Sequence, residues 1–482
     1  MEEVNEYIKQ RINKLNLLKE LGIEPYGGRF NKTKCIEYLL KDFKDGDRVE
    51  TSGRVVAVRE HGKSSFVDLR DATGKIQIYV NSKTIDEEYY KIYKLLDIGD
   101  ILGVKGQFFK TKTGEITINA EELVLLAKGL RPLPEKWHGL KDVEIRYRQR
   151  YMDLIVNEEV RNIFKLRSKI ISKIREFLDN RGFLEVETPM MHHMAGGASG
   201  EPFKTYHKAL GIELYLRLAP ELYLKRLLVG GFDKVYELNR NFRNEGISVR
   251  HNPEFTMLEV YEAYSDCEGM MRLTEELFNY VANQTLGTNR IKFGECEIDL
   301  TPPWPKWSFA REIKNRFDIN PDDPAEEWIR KLKSKGMVFE GKDITRSQIV
   351  NIITEMLEPQ TKDRPIFVVD LFAELCPLAK RKKDNPLLTD RFELFVGNME
   401  LANAYSELND PIEQRERFEQ QLVGQEAVKK IDEDFLIALE YGMPPAGGLG
   451  IGIDRLIMLF TNQSSIRDVI LFPQLRPEAP TS

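Results

Sequence analysis

The run Arg240-Asn241-Phe242-Arg243-Asn244-Glu245-Gly246, with Arg250, His251, Asn252, Pro253 and Phe255 close behind, gathers residue types that bind phosphate and nucleobases. Guanidinium groups bond phosphate oxygens in pairs and stack on π systems, and a phenylalanine offers a face to a base. The run reads as a hairpin able to hold a polyphosphate and an adenine. Val235 to Leu238 and Phe255 to Tyr261 have strand character on either side, and Gly246 supplies turn freedom between them. Strand alternation predicts Phe255, Met257, Glu259 and Tyr261 on one face, with Thr256, Leu258 and Val260 on the other. The competing reading is an exposed basic hairpin with solvated glutamates.

Two further clusters bear on that choice. Gly448-Leu449-Gly450-Ile451-Gly452-Ile453-Asp454-Arg455 carries glycine at every second position, which leaves one strand face as bare backbone while Leu449, Ile451 and Ile453 pack inward. Asp454 is expected to cap the next helix. Arg455 then falls in a first turn, where a cation is electrostatically unfavourable, so it is expected to serve a ligand. Neither a dinucleotide fingerprint nor a P-loop is present. In Glu393 to Glu407, alternation puts Asn403, Tyr405 and Glu407 on one face, with further carboxylates at Glu393 and Glu400. Carboxylates beside phosphates call for a hard cation with oxygen ligands, which points to Mg²⁺. Simple alternation sets Glu400 opposite Asn403, so either a bulge intervenes or only some of these residues converge.

The rest of the chain must position these groups. At 482 residues it is long enough for two or three domains, and 41% hydrophobic with 31% charged residues is ordinary for a globular protein. A net charge of -6 gives no global signal for nucleic acid, so a polyanion must meet local basic surface. The four cysteines are scattered, and His192 and His193 lack partners at metal spacing; neither a disulfide scaffold nor a zinc site is expected. The first residues are acidic where an export signal is basic, and no apolar run is long enough to span a bilayer. A cytoplasmic enzyme without membrane contact is expected.

Residues 1–45 read as an N-terminal helical segment. Over 46–127 five short strands, with a helix between the third and fourth, predict an OB-fold barrel of the kind that binds single-stranded nucleic acid. A linker is expected over 128–156. Residues 157–482 then alternate strands and helices as one large α+β domain, with a mainly helical insertion near 301–360.

Together these segments resemble the three motifs of class II aminoacyl-tRNA synthetases. Phe183 to Pro189 after a long helix is similar to motif 1, the dimer-forming element; the Arg243 hairpin to motif 2; and Gly448 to Arg455 to motif 3. Leu218-Ala219-Pro220-Glu221-Leu222, Arg250 to Phe255 and Tyr405-Ser406-Glu407-Leu408-Asn409 narrow the resemblance to lysyl-tRNA synthetases of the bacterial type, from the barrel to Pro477. It implies an antiparallel-sheet catalytic domain behind an anticodon-binding barrel, an ATP-dependent ligase, a homodimer, and tRNA-Lys, ATP and L-lysine as partners.

By the same resemblance Arg243 and Arg455 are catalytic. Arg243 would bind the substrate carboxylate and the α-phosphate, Arg250 and His251 the β- and γ-phosphates, and Glu245 the adenine amino group, with Phe255 and Arg455 on the two adenine faces. Glu400 would contact ATP and share Mg²⁺ with Glu393. Lysine would be held by Glu221 and Gly197 at its α-amino group, by Arg243 and Asn403 at its carboxylate, and by Glu259, Tyr261 and Glu407 at its ε-ammonium, which needs ionic partners once desolvated. Phe66, Gln77 and Glu115 would read the anticodon, although strand parity alone leaves barrel core open for Phe66. The chain departs from the usual pattern at Thr205-Tyr206-His207-Lys208 and at Cys376, which are expected to stay clear of the ligands. Alternatives are an aspartyl- or asparaginyl-type synthetase and a catalytically silent OB-type RNA-binding protein. An acidic side-chain pocket argues against the first, and the presence of both arginines and the carboxylates against the second.

Overall fold

The computed structural model describes residues 2–134, 142–194, 196–198, 200–337, 346–357, 359, 361, 363–422 and 431–477. Two compact units divide them, Met1–Lys141 and Asp142–Ser482. The first begins with helices α1 (Glu2–Glu20) and α2 (Ile36–Lys41). It continues with strands β1 (Arg48–His61), β2 (Ser64–Arg70) and β3 (Lys75–Asn81), helix α3 (Glu87–Lys94), and strands β4 (Ile101–Lys110) and β5 (Ile116–Ala127). The strands close into a barrel in the order β1-β2-β3-β5-β4, antiparallel except at β3-β5. Alternation decides its interior: Val67 and Leu69 of β2 and Ile76, Ile78 and Val80 of β3 are buried together, while Phe66 lies on the opposite side of β2. Lys128, at the start of the expected linker, is buried in this unit between Asp97 and Asp100. Residues 135–141 of that linker lie outside the described residues.

The second unit starts earlier than the expected 157, with α4 (Val143–Arg148) and α5 (Arg150–Val156), then α6 (Glu158–Asp179) and β6 (Leu184–Glu185). Arg150 explains why α4 and α5 pack here. Its buried guanidinium donates to Asp153 and to the Leu471 and Arg467 carbonyls. A small sheet of β7 (Met191–His192), β8 (Lys204–His207) and β9 (Ile212–Leu216) leads to α7 (Glu221–Val229), the hairpin β10 (Lys234–Phe242) and β11 (Glu254–Ala263), and α8 (Cys267–Leu286). After the β12 (Arg290–Phe293) and β13 (Cys296–Asp299) hairpin, β14 (Lys306–Ser308) is separated from β15 (Ile366–Val369) by α9 (Phe309–Phe317), α10 (Ala325–Ser334) and α11 (Arg346–Met356). Strands β16 (Arg391–Val396) and β17 (Met399–Ser406), helices α12 (Pro411–Leu422) and α13 (Glu433–Glu440), strand β18 (Ala446–Gly452) and helix α14 (Ile453–Phe460) complete the site-bearing part.

Eight strands form one sheet in the order β14-β15-β16-β17-β18-β11-β10-β6, antiparallel except at its two ends. One face carries Leu258, Val260, Ala402, Ala404, Leu449 and Ile451, buried against α6, α8 and α14 in the largest core cluster. The alternate residues therefore face the other way, and they are the polar ones the chemistry needs.

Candidate active site

The central hairpin pairs Lys234 with Glu262 through to Phe242 with Glu254. Arg240, Asn241 and Phe242 thus extend β10 instead of belonging to the loop, and Gly246 turns without entering the left-handed region. The connecting loop is held by its own backbone. Arg243 N donates to the Pro253 carbonyl at 2.9 Å and Ser248 N to the His251 carbonyl at 3.1 Å. Between this loop, β17 and β18 lies a cavity of about 220 Å³, lined by Arg243, Glu245, Arg250, His251, Phe255, Glu400, Asn403 and Arg455 and by the Gly450 and Gly452 backbone. The Arg243 guanidinium lies 5.2 Å from the Phe255 ring centre, and its Nε is buried without a hydrogen-bond partner among the described residues. Arg455 Nη1 donates to the Glu400 carbonyl at 2.7 Å, and Nη2 lies 3.2 Å from His251 Nε2. Burial, then the Arg455 charge, holds the His251 imidazole below its usual range.

Asp454 does not cap α14. Gly452 holds the cap position, and the Asp454 carboxylate instead accepts from Thr256 N at 2.7 Å and Arg167 Nη1 at 2.7 Å. It ties α14 to β11 and α6, and so fixes Arg455 over the cavity.

A bulge resolves the position of Glu400. Glu393 pairs with Asn403 and Leu394 with Ala402, but Phe395 pairs with Glu400, so Leu401 is an extra residue in β17. Leu401 turns into the core, and Glu400 and Asn403 line the same cavity. Glu393 lines neither cavity described here. It is paired with Arg391 at 2.6 Å, and burial, opposed by Arg391 and reinforced by Glu400, raises its carboxyl above the usual range.

A second cavity, of about 360 Å³, lies alongside. Gly197, Glu221, Arg243, Glu259, Tyr261 and Asn403 line it, together with Met257, Cys376, Tyr405 and the backbone of Gly448 and Gly450. Two of its carboxylates are buried: Tyr261 donates to Glu259 at 3.2 Å and Tyr405 to Glu221 at 2.7 Å. Burial, then the Glu221 charge, pushes the Glu259 carboxyl up to about 8. Glu407 is fully buried behind the wall and lines neither cavity; Lys225 reaches it at 2.5 Å and also donates to Glu221 at 2.8 Å. Sequence reasoning missed Lys225, although Glu221 and Lys225 stand four apart on one helix, the spacing at which side chains meet. Cys376 lines the cavity, contrary to expectation, whereas Tyr206 and Lys208 line neither. Arg243, Met257, Asn403 and Gly450 line both cavities, so a basic, aromatic compartment and an acidic one share a wall.

A family model described as tRNA synthetases class II (D, K and N) matches residues 142–476, and one described as an OB-fold nucleic acid binding domain matches residues 49–126. The chain is 55% identical to the lysine–tRNA ligase of Carboxydothermus hydrogenoformans over 485 residues, 99% of each chain. It is 54% identical to that of Pelotomaculum thermopropionicum over 99% of this chain and 96% of the relative, and 53% identical to that of Thermoanaerobacter sp. (strain X514) over 99% and 97%. This chain belongs to the lysine–tRNA ligase family of class II tRNA synthetases. The expected fold class, an antiparallel-sheet catalytic domain with an N-terminal OB-fold, is the one found.

In this lysine–tRNA ligase family member the barrel presents an aromatic platform. Phe66 is half-buried on the outer side of β2 and packs against Tyr79 at 5.4 Å and His61 at 6.1 Å, with Phe109 beyond Tyr79. Gln77 donates to Glu115 at 3.2 Å and accepts from Thr117 at 2.9 Å, which places Glu115 beside β3. Tyr79, His61 and Phe109 extend the expected set; Tyr79 was findable as the cross-strand partner of Phe66. His192 is buried, with Nε2 2.9 Å from the Pro189 carbonyl. Among the described residues no group of three or more His, Cys, Asp or Glu is placed to hold a metal, and no helix is long and apolar enough to cross a membrane.

Proposed function

We infer that the chain is a lysine–tRNA ligase that joins L-lysine to ATP as lysyl-adenylate, releasing pyrophosphate, and then passes the lysyl group to the 3′ end of tRNA-Lys. The observation that carries this reading is the wall shared by the two cavities, on which Arg243 stands. From there one guanidinium reaches an amino-acid carboxylate on one side and the α-phosphate on the other. A lysine carboxylate oxygen attacks the α-phosphorus, the bond to the leaving pyrophosphate breaks, and no protein nucleophile is needed. Arg250 and His251 take the outer phosphates, Glu245 the adenine amino group, and Phe255 and Arg455 its two faces. The buried, partnerless Arg243 Nε fits a ligand-directed role.

Glu393 and Glu400 would hold Mg²⁺, which relieves repulsion between phosphates and carboxylates when bound. Two carboxylates with ATP oxygens suit this ion, which keeps waters and substrate phosphates among its ligands; burial and the Glu400 charge raise the Glu393 carboxyl, and a cation would relieve that repulsion beside the Arg391 that already pairs with Glu393. Lysine lies in the acidic cavity: Glu221 and the Gly197 backbone at the α-amino group, Asn403 with Arg243 at the carboxylate, and Glu259 and Tyr261, with the Glu407 charge behind them, at the ε-ammonium. An aspartate-type substrate would need a free cation there, and Lys225 is already engaged by two carboxylates.

Phe66, Gln77 and Glu115 read the anticodon in this proposal. The chain works as a homodimer in the cytoplasm, and exposed Leu184, Met190 and Met191 around the motif 1 segment suit an interface between copies. ATP–pyrophosphate exchange tested with each of the twenty amino acids should respond to lysine; exchange with aspartate or asparagine instead, or none at all, overturns the reading.

A further inference from the structure

Lys225 belongs to no part of the mechanism above, yet it is fully buried at the foot of the acidic cavity. Its ammonium lies 2.8 Å from Glu221 Oε1 and 2.5 Å from Glu407 Oε2, and 5.7 Å from the Tyr405 ring centre. The charged and titratable groups around it are few. Glu221 stands on its own helix, Tyr405 and Glu407 come from β17 and its end, Glu259 and Tyr261 from β11, and Cys376 from the chain after β15. The neighbouring cations are engaged elsewhere: Arg217 pairs with Glu237 at 2.7 Å and Arg391 with Glu393 at 2.6 Å. Lys225 thus pairs with two of the pocket's three carboxylates, and with all three ionised two negative charges remain to be met.

We propose that Lys225 is a specificity-determining positioning residue: it clamps Glu221 and Glu407 and cancels one carboxylate charge, so that the pocket with all three carboxyls ionised is balanced by a substrate that brings two ammonium groups. This rests on the lysine-activating reading above. L-lysine supplies both ammoniums, and its carboxylate is met separately by Arg243. An amino acid with a neutral side chain brings one, so a carboxyl either keeps its proton or stays an unpaired buried charge, and in both cases the ion pair that lysine gains at its ε-ammonium is forfeited. Burial works against the Lys225 charge, but Glu221 and Glu407 outweigh it and hold the ammonium above its usual range, so it stays charged at neutral pH.

The test is lysine-dependent ATP–pyrophosphate exchange between pH 7 and 8.5 by the unaltered protein and by K225M, which keeps the length and removes the charge. K225Q serves as the second variant if K225M does not fold by circular dichroism. In the unaltered protein the KM for lysine should stay level or fall as pH rises, because the carboxyls lose protons that compete with the substrate. In K225M the KM should rise at least tenfold at pH 7.5 and fall more steeply with pH than in the unaltered protein, because without the internal ammonium the empty pocket's carboxyls hold more protons for lysine to expel, with a smaller change in the KM for ATP. A merely structural role for Lys225 introduces no such ionisation. A folded K225M or K225Q with lysine KM within threefold of the unaltered protein, or with a parallel pH profile, overturns the proposal. Failure of the unaltered protein to exchange with lysine would instead defeat the underlying reading, so the two failures are distinguishable. Where exchange is too slow to follow, calorimetric titration with L-lysine reports the same pH dependence.

Discussion

Glu259 is 5% exposed, and its carboxyl is pushed up to about 8, first by burial and then by the Glu221 carboxylate, while Tyr261 donates to it at 3.2 Å. At pH 7 the empty cavity therefore keeps this group mostly protonated. An arriving ammonium favours the carboxylate and expels the proton. Lysine affinity should accordingly rise with pH toward about 8, by up to about tenfold per unit from this group, before levelling off. Calorimetry of lysine binding at pH 7, in two buffers of different ionisation heat, counts the released protons. E259Q should lower that count by about one; an unchanged count would remove Glu259 from the ammonium site. Linkage also fixes the sign for stability. The unfolded chain ionises this carboxyl near 4.5 and the empty fold only near 8, so the empty fold loses stability as pH rises across that interval, and bound lysine opposes the loss. Lys225 acts in the opposite sense on the neighbouring Glu407, lowering a carboxyl that burial and the Glu221 and Glu259 charges raise.

Strand β18 makes a graded prediction possible. A Cβ on Gly448 would lie 1.8 Å from Glu407 Oε1 and 2.7 Å from the Tyr261 ring, so the carboxylate clamped by Lys225 would have to move. A Cβ on Gly450 would first meet the flexible tip of Met257 at 3.2 Å. We expect G448A to destabilise the fold by about 1–3 kcal/mol, the usual cost of overpacking, and to raise the lysine KM at least tenfold. G450A should unfold near the unaltered temperature yet weaken both substrates, because Gly450 lines both cavities. Thermal unfolding with separate lysine and ATP titrations checks the pair, and equal stability loss in both would refute the assignment. How these elements read from sequence follows from the same geometry. Gly448, Gly450 and Gly452 against Leu449, Ile451 and Ile453 was legible, since period-two alternation needs only residue types. The Leu401 bulge was not, because an extra residue reverses the parity of everything beyond it while its position is set by packing of Leu401 into the core. Asp454 was misread because an acidic residue at a helix start has two uses, capping its own helix or, as here, holding the Thr256 backbone of a neighbouring strand. Arg240 to Phe242 looked like loop because Arg240 and Asn241 carry no strand signal of their own; their pairing with residues 254–256 is a tertiary fact.

In our reading the two compact units carry separate tasks, and that separation is testable in the intact protein. Adenylate formation, in our reading, uses only residues of 142–482, whereas anticodon reading uses Phe66, Gln77 and Glu115 of the barrel. Phe66 is suited to a stacking role because Val67 and Leu69, not Phe66, fill the barrel core beside Ile76 and Ile78. Its ring instead joins His61, Tyr79 and Phe109 in an outward aromatic row. Stacking of one base on such a ring contributes about 1–3 kcal/mol, equivalent to roughly 5- to 150-fold in affinity. F66A should therefore raise the KM for tRNA-Lys within that range and leave lysine-dependent ATP–pyrophosphate exchange at its unaltered rate. F66A should lower stability modestly, since removing this ring loses an edge contact and a tilted ring contact worth about 0.5–1.5 kcal/mol each but opens no core cavity. V67A, which empties part of the barrel interior, is the control: it should cost more stability, by the usual penalty for a core deletion. If F66A slowed exchange as much as it slowed tRNA charging, the barrel would be acting on the adenylation chemistry itself, and the division of labour between the units would fail. If F66A left both activities unchanged while V67A and F66A unfolded alike, Phe66 would belong to the barrel core energetically, and the anticodon platform would have to be sought around Tyr79 and Phe109.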